Sequence, residues 1–420
     1  MEIRAETRSV RYGSSVSRGL LVVVVVAFVV RMGAWGVAER QVSAARAGGE
    51  EERRFVVAGD AEGYWDLAGD LLAGREYAVY TPPRRVLRTP GMPVAIAAGR
   101  AIFGDSPRAV RGWLTVLGVL GPVAVWWLAR TVVDERTAAV AGGLAAVSPL
   151  LAAFAPLLLS ESLFGAAITF QMGALAKAWR GERVAWPAMA GILGAVACSL
   201  RPAWAPAMAA ICLAWPIAAW RAGRLRRGAG EIAALVAAFA VCWAPWVWRN
   251  MVVTGQPVLT TLWTGPTLYD SVGPQADGSS DMTFFDAEAE RYAGWSEAAI
   301  NANYLARSWN EIEHDPVRIA RLAVAKQRRF WALFPTATEA GPRWLRVPIA
   351  GWTIAFFAAA LVGIVIVDSP TRWFTIGPVL MLAAIHLLFV ASMRYRLPAE
   401  YPLCVPAAVT LVRGWTRSRT

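Results

Sequence analysis

Histidine is almost missing from this 420-residue chain, with His314 and His386 the only two. A zinc site of ordinary ligand number therefore cannot be assembled without several carboxylates, and His386, alone in an apolar run, reads as a packed residue with one hydrogen bond. Cysteine is nearly as scarce. Cys198, Cys212, Cys242 and Cys404 lie inside apolar stretches without metal-ligand spacing, so they read as small core residues and leave the redox compartment open. Charge is short as well: 17% of residues are Asp, Glu, Lys or Arg, 56% are hydrophobic, and mean hydropathy is positive. That composition describes a polytopic membrane protein, not a water-soluble globule. No repeat with a period of about 20 to 50 residues is present, which argues against a solenoid.

What the chain has in excess is positive charge and tryptophan. Lys and Arg number 42 against 30 Asp and Glu, a formal net charge of +12. The basic residues stand in short clusters between apolar runs, an arrangement that orients membrane helices and gives no reason to expect a nucleic-acid partner. Many of the 21 Trp residues (Trp113, Trp126, Trp127, Trp179, Trp220, Trp246, Trp248, Trp344) lie near the ends of apolar runs, where an indole meets lipid headgroups.

A polar tail with Arg4, Arg8, Arg11 and Arg18 precedes the apolar run Leu20 to Val30, which continues through Arg31 to Ala38 as a first transmembrane helix. A cleaved signal peptide is the competing account, and either one puts Asp60 outside the cytoplasm. Arg31 then sits near the outer end, able to snorkel or to contact an anionic headgroup. Further spans are expected at roughly 109 to 129, 137 to 155, 158 to 176, 184 to 201, 203 to 220, 230 to 248, 346 to 367, 372 to 391 and 399 to 414, each near the ~20 residues a bilayer needs. About ten spans with both ends inside agree with the positive-inside rule. Arg130 and Arg136, Lys177, Arg180 and Arg183, Arg221, Arg224, Arg226 and Arg227, Arg372, and Arg413, Arg417 and Arg419 all fall on the tail's side. The expected organisation is a cytoplasmic tail (1–18), a transmembrane core (19–248) that includes an outer loop (39–108), an outer subdomain (249–343), C-terminal spans (344–414) and a second tail (415–420).

The outer loops hold the unusual residues. In the first, Tyr64, Leu67, Ala68 and Leu71 recur at i, i+3, i+4 and i+7, while Glu62, Asp66 and Asp70 repeat every fourth residue on another face. This predicts a short amphipathic helix with Asp60 at its start and Gly74 closing it, its acidic face in water or beside a cation and its apolar face on a membrane. Thr81-Pro82-Pro83-Arg84-Arg85 and Arg88-Thr89-Pro90-Gly91-Met92-Pro93 cannot continue that helix and are expected as fixed extended turns, with Met92 to Phe103 a second surface helix. In the outer subdomain, Pro316 to Phe334 reads as a basic amphipathic helix on anionic lipid, with Arg318, Arg321, Lys326, Arg328 and Arg329 beside Ile319, Leu322, Phe330 and Trp331.

Seven short motifs run in order along the chain: Asp60-x-x-x-Tyr64 with Leu67-Ala68; Thr89-Pro90-Gly91-x-Pro93; Leu159-Ser160-Glu161; Leu200-Arg201-Pro202; Trp246-x-x-Arg249-Asn250 with Gly255; Asp315-Pro316 with Lys326 and Trp331; and Arg394-Tyr395-Arg396-x-Pro398. Their order resembles that of membrane glycosyltransferases of the GT-C class. Within that class it is similar to glycosyltransferase family 39, which includes protein O-mannosyltransferases and the aminoarabinose transferases that modify lipid A. Thr89 stands where a Pro is frequent in the family.

The resemblance implies an all-α, GT-C-like polytopic enzyme. It would pass a hexose or pentose from a polyprenyl-phosphate donor to a protein, lipid or glycan acceptor on the outer side of a membrane, in the bacterial case the inner membrane. Asp60 matches the family's acidic residue at the reaction centre; Glu62 and Glu161 are candidates for acceptor or metal contact. Arg201, Arg394 and Arg396 match the groups that bind donor phosphate, and Tyr64, Arg85 and Arg88 lie where the first loop touches substrate. The chemistry suits these residue types. A carboxylate takes the proton of the incoming hydroxyl, guanidiniums hold the departing phosphate through paired donors, and direct displacement inverts the anomeric centre. Each candidate also has a plain structural reading: Asp60 as a helix N-cap, Glu161 as half of an ion pair with Arg201, Arg394 and Arg396 as snorkelling residues at a helix end. A divalent cation at Asp60 and Glu62 is compatible with the sequence but unsupported by it. The alternative functions are a transporter or flippase of the same lipid-linked sugar, or an inactive scaffold.

Overall fold

The computed structural model describes residues 18–50, 53–57, 59–80, 82–333 and 346–417, the side chains of 415–417 excepted. Most of the N-terminal tail, Thr81, Trp344 and Arg419 therefore lie outside the described residues. The helices in chain order are Arg18–Ala47 (α1), Asp60–Ala73 (α2), Gly91–Phe103 (α3), Pro107–Leu117 (α4), Leu120–Val132 (α5), Glu135–Val147 (α6), Pro149–Ala153 (α7), Glu161–Arg180 (α8) and Ala185–Leu200 (α9). They continue as Ala205–Arg221 (α10), Leu225–Thr254 (α11), Thr264–Val272 (α12), Thr283–Ala287 (α13), Glu297–His314 (α14), Pro316–Phe330 (α15), Arg346–Ile366 (α16), Ser369–Leu388 (α17) and Leu397–Arg417 (α18).

Six stretches among the described residues are long and apolar enough to cross a bilayer: α1, α4 with α5, α10 with the turn before it, α11, α16 and α17. The chain is a multi-pass membrane protein. The other four expected spans correspond to α6 with α7, α8, α9 and α18, which are shorter or more polar. The run expected at 137 to 155 is interrupted because Pro149 has no N–H to donate; α6 ends at Val147 and α7 starts anew. The run expected from 158 begins only at Glu161, so Ser160 and Glu161 stand at a helix start.

The bundle closes around α18, which touches α5, α6, α8, α16 and α17. Lipid offers no hydrophobic drive between spans, so close approach has to supply the attraction. Tyr401 illustrates it: its fully buried ring lies between Gly121 and Gly165, where an added Cβ would come within 2.3 and 2.4 Å of the ring. Arg31 corrects an expectation. It is fully buried, not at the lipid surface, and donates to the carbonyls of Gly118 (3.0 Å), Ala146 (3.1 Å) and Ala145 (3.3 Å). Those carbonyls are exposed by the break between α4 and α5 and by the end of α6, and one guanidinium satisfies all three. Of the tryptophans, Trp220 and Trp248 face outward as expected of interface residues, whereas Trp246 is buried and bonded to the Thr260 carbonyl at 2.8 Å. Cys198 and Cys404 are core residues, but Cys242 is exposed on the bundle's surface.

At the end of the bundle that carries the long loops, α2 forms as its periodicity predicts and Gly74 closes it in a left-handed conformation, φ 63°. Most of its apolar face meets protein, although Leu71 stays 40% exposed. Tyr64, Trp65 and Ala68 pack with Met92, Ile96, Val110, Leu114 and Leu158, and Arg100 of α3 donates to the Trp65 carbonyl at 2.7 Å. The segment between α11 and α15 has its own small aromatic core of Tyr269, Phe284, Tyr292 and Tyr304 around Ile300. Helix α15 joins it to the bundle, and one of its basic residues turns away from the exposed face. Lys326 is fully buried and donates to the carbonyls of Leu388 (2.9 Å) and Leu387 (3.3 Å) at the C-terminal end of α17, a favourable place for a cation.

Candidate functional site

Five charged side chains from four separate parts of the chain meet at the loop-bearing end. Asp60 is the first residue of α2 and not its N-cap; Gly59 holds that place. One Asp60 oxygen pairs with Arg88 Nη1 at 2.9 Å and the other with Arg394 Nη2 at 2.8 Å. The Arg394 Nε also donates to Glu161, and Glu161 in turn accepts from Arg201 Nη2 at 2.9 Å. The result is an alternating row, Arg88, Asp60, Arg394, Glu161, Arg201, with three positive charges and two negative.

Local structure explains how each group reaches the row. Gly91 lies so close to the end of α9 that a Cβ there would sit 2.6 Å from the Ser199 carbonyl carbon, which docks the first loop beside Arg201. Gly63 lets the Arg88 guanidinium cross α2, since a Cβ on it would stand 3.0 Å from Arg88 Nε. Arg88 also lies over the Tyr64 ring at 4.7 Å. Arg249, quoted in a motif but given no role by sequence reasoning, donates to the carbonyls of Arg85 (2.6 Å) and Tyr77 (2.9 Å) and so holds the loop that carries Arg88. On the other flank Tyr395 lies beneath Arg201 at 4.9 Å, stacked on His386 at 4.7 Å and 3°. His386 makes one hydrogen bond, to the Val390 carbonyl at 2.7 Å, in keeping with its expected packing role.

Burial grades along the row. Glu161 is 1% exposed, Arg394 10%, Arg88 14% and Arg201 15%, while Asp60 at 35% is the most open. Burial alone would raise the Asp60 pKa; attraction to Arg88, then Arg394, outweighs it and holds the carboxyl well below the usual carboxylate range. Asp60 is thus an anion already paired twice, and a weak base for as long as both guanidiniums stay on it.

Three expected site residues stand elsewhere. Glu62 is exposed and accepts from the Gly59 amide at 3.3 Å, capping its own helix. Arg85 pairs with Glu76 across the loop surface. Arg396 is fully buried, bonded to Glu400 at 2.8 Å and to the carbonyls of Phe330 and Ala332, so it ties α18 to the end of α15. A divalent cation does not fit beside Asp60: each of its oxygens already has a guanidinium within 3 Å, and Glu62 turns away. No cluster of three or more His, Cys, Asp or Glu side chains suited to a metal occurs among the described residues.

The helical bundle shares its fold with a solved membrane oligosaccharyltransferase. The archaeal oligosaccharyltransferase AglB from Archaeoglobus fulgidus, solved with an inhibitory peptide and a dolichol-phosphate, aligns with 95% of this chain at a TM-score of 0.58 and 17% identity. The same enzyme in complex with Zn and sulfate aligns with 96% of it at 0.58 and 16%. This chain spans about half the length of those proteins, 51% and 50%. ArnT from Cupriavidus metallidurans bound to undecaprenyl phosphate covers 95% of this chain and 79% of its own, with 14% identity and a TM-score of 0.45, too low to support an argument. More particularly, residues 87–248 match the sequence model of the dolichyl-phosphate-mannose-protein mannosyltransferase family. No curated protein matches the chain.

Proposed function

We propose that this chain is a membrane glycosyltransferase that moves a hexose or pentose from a polyprenyl-phosphate donor to an acceptor hydroxyl on the extracytoplasmic side of the membrane. The observation that carries the proposal is the sharing of Asp60 between Arg88 and Arg394 at the open end of a buried row of ions. Donor phosphate is a competing anion for those guanidiniums, and bidentate contacts suit it at least as well as a carboxylate. As phosphate takes up Arg394 and Arg88, Asp60 loses the charges that hold its pKa down and becomes the better base. The acceptor oxygen then attacks the anomeric carbon, its proton passes to Asp60, and the bond from that carbon to the phosphate oxygen breaks. The polyprenyl phosphate leaves with its charge on the arginines, and the sugar inverts. Glu161 holds Arg394 and Arg201 at the right spacing throughout.

The orientation rests on the basic ends of α5, α8 and α10, with Arg130, Lys177, Arg180 and Arg221, opposite the end that bears Asp60. Mass spectrometry of envelope glycans and lipids from cells with and without this chain tests the function. A hexose or pentose adduct that disappears on deletion is expected; identical profiles would count against it.

A further inference from the structure

A cavity opens on the same loop that carries Arg88. It encloses about 330 Å³ between that loop, the end of α11 and the start of α14, within the range of about 300 to 1,000 Å³ usual for small-ligand sites. Three features of its lining point to an occupant. The Arg84 guanidinium, partly buried over the Phe285 ring at 5.2 Å, forms no hydrogen bond or ion pair with any described residue. Burial draws its pKa down, against the attraction of Glu297. Trp295 is 47% exposed at the rim, its ring braced edge-on against buried Tyr292 at 5.3 Å. The Gln256 side chain, also exposed, has no partner among the described residues.

The main chain of the loop's side of the cavity is engaged at three points. Glu297 accepts from the Arg85 amide at 2.6 Å and from the Val86 amide at 3.1 Å, and Arg249 takes the Arg85 carbonyl. Those groups of Arg85 and Val86 are therefore closed to pairing with an extended peptide. The lining offers an aromatic plate, a planar amide and a guanidinium with no hydrogen bond or ion pair among the described residues, groups that suit the C–H face, the hydroxyls and an acidic substituent of a sugar. Arg85 in the lining and Arg88 on Asp60 are three residues apart, so their Cα atoms are separated by at most about 11 Å.

On this basis we infer that the cavity is an acceptor subsite for an acidic saccharide, seated on Trp295 with its carboxylate or phosphate on Arg84 and its next hydroxyl leading toward Asp60. This rests on the transferase reading for its purpose, but binding can be measured without transfer. The full-length protein in detergent is titrated with trigalacturonate, with neutral maltotriose and with an acidic hexapeptide of alternating Asp and Gly. Trigalacturonate is expected to bind more tightly than either, and Arg84→Gln and Trp295→Ala are each expected to weaken it about tenfold. Arg84→Lys, which keeps the charge, is expected to fall between and guards against a folding defect, with monodisperse elution required of every variant. Binding that ignores both substitutions, absent binding of trigalacturonate, or equal binding of maltotriose would overturn the inference. Tighter binding of the hexapeptide would replace the saccharide with a peptide acceptor. Loss of transfer in an Asp60 variant that still binds trigalacturonate keeps the two proposals apart.

Discussion

Glu161 decides more than its position suggests. It is the most buried of the row and bridges two arginines, so removing it leaves two guanidiniums facing each other in a poorly hydrated place. Glu161→Ala is expected to cost about 3–5 kcal/mol, with Glu161→Gln, which still accepts a hydrogen bond, costing less; thermal unfolding in detergent measures both. Asp60 gives a pH prediction whose sign follows from its depressed pKa. Its stabilising pairs are fully formed above the ordinary carboxylate value of 3.8 and are lost as pH falls through the lower folded value. Arg88→Gln removes the largest lowering influence, so the acid limb of the stability curve is expected to move to higher pH, and an unmoved limb would show that Arg88 does not hold Asp60. At this scale sequence reasoning found the pairing of Glu161 with Arg201 because an acid at a span boundary needs a partner. It placed Arg396 and Arg394 alike since both follow the same motif. Side-chain direction separates them: one points to Asp60, the other is sealed between α18 and the end of α15.

Helices α2 and α3 show what periodicity can and cannot tell. The spacing of Tyr64, Leu67 and Ala68 located α2 and its end at Gly74, but an apolar face does not say what covers it. The actual cover is α3, Val110, Leu114 and Leu158, and outside the hydrocarbon each such buried side chain contributes about 1.5–3 kcal/mol relative to exposure in water. The same limit applies to α15, whose basic stripe read as a lipid face although Lys326 turns inward to the end of α17. The loop between α2 and α3 depends on close approach. Gly91→Ala is expected to push it off the end of α9, raising amide exchange over residues 85 to 89 while leaving the spans protected. Unchanged exchange there would mean that the loop is not held through Gly91.

For the whole molecule, the polytopic helical character was legible because apolar runs and basic clusters alternate so regularly, whereas six stretches among the described residues, not ten, are long and apolar enough to span. The breaks in the apolar runs were not legible, since the interruption at Pro149 depends on how a neighbour satisfies the freed carbonyls at the end of α6, as Arg31 does. The membrane orientation makes its own prediction. A cysteine at Trp295, in a background without the native four, is expected to react in intact cells with a membrane-impermeant maleimide, and one at Arg180 only after permeabilisation. The reverse pattern would invert the topology.

The central claim, that Asp60 performs chemistry while the arginines hold the donor, is tested most directly by Asp60→Asn in purified protein, measuring polyprenyl-phosphate-sugar binding and sugar release together. Donor binding is expected to remain within a few-fold, or to tighten as a competing anion is lost, while release falls by about 10²- to 10⁴-fold. Release at the unaltered rate would contradict the account.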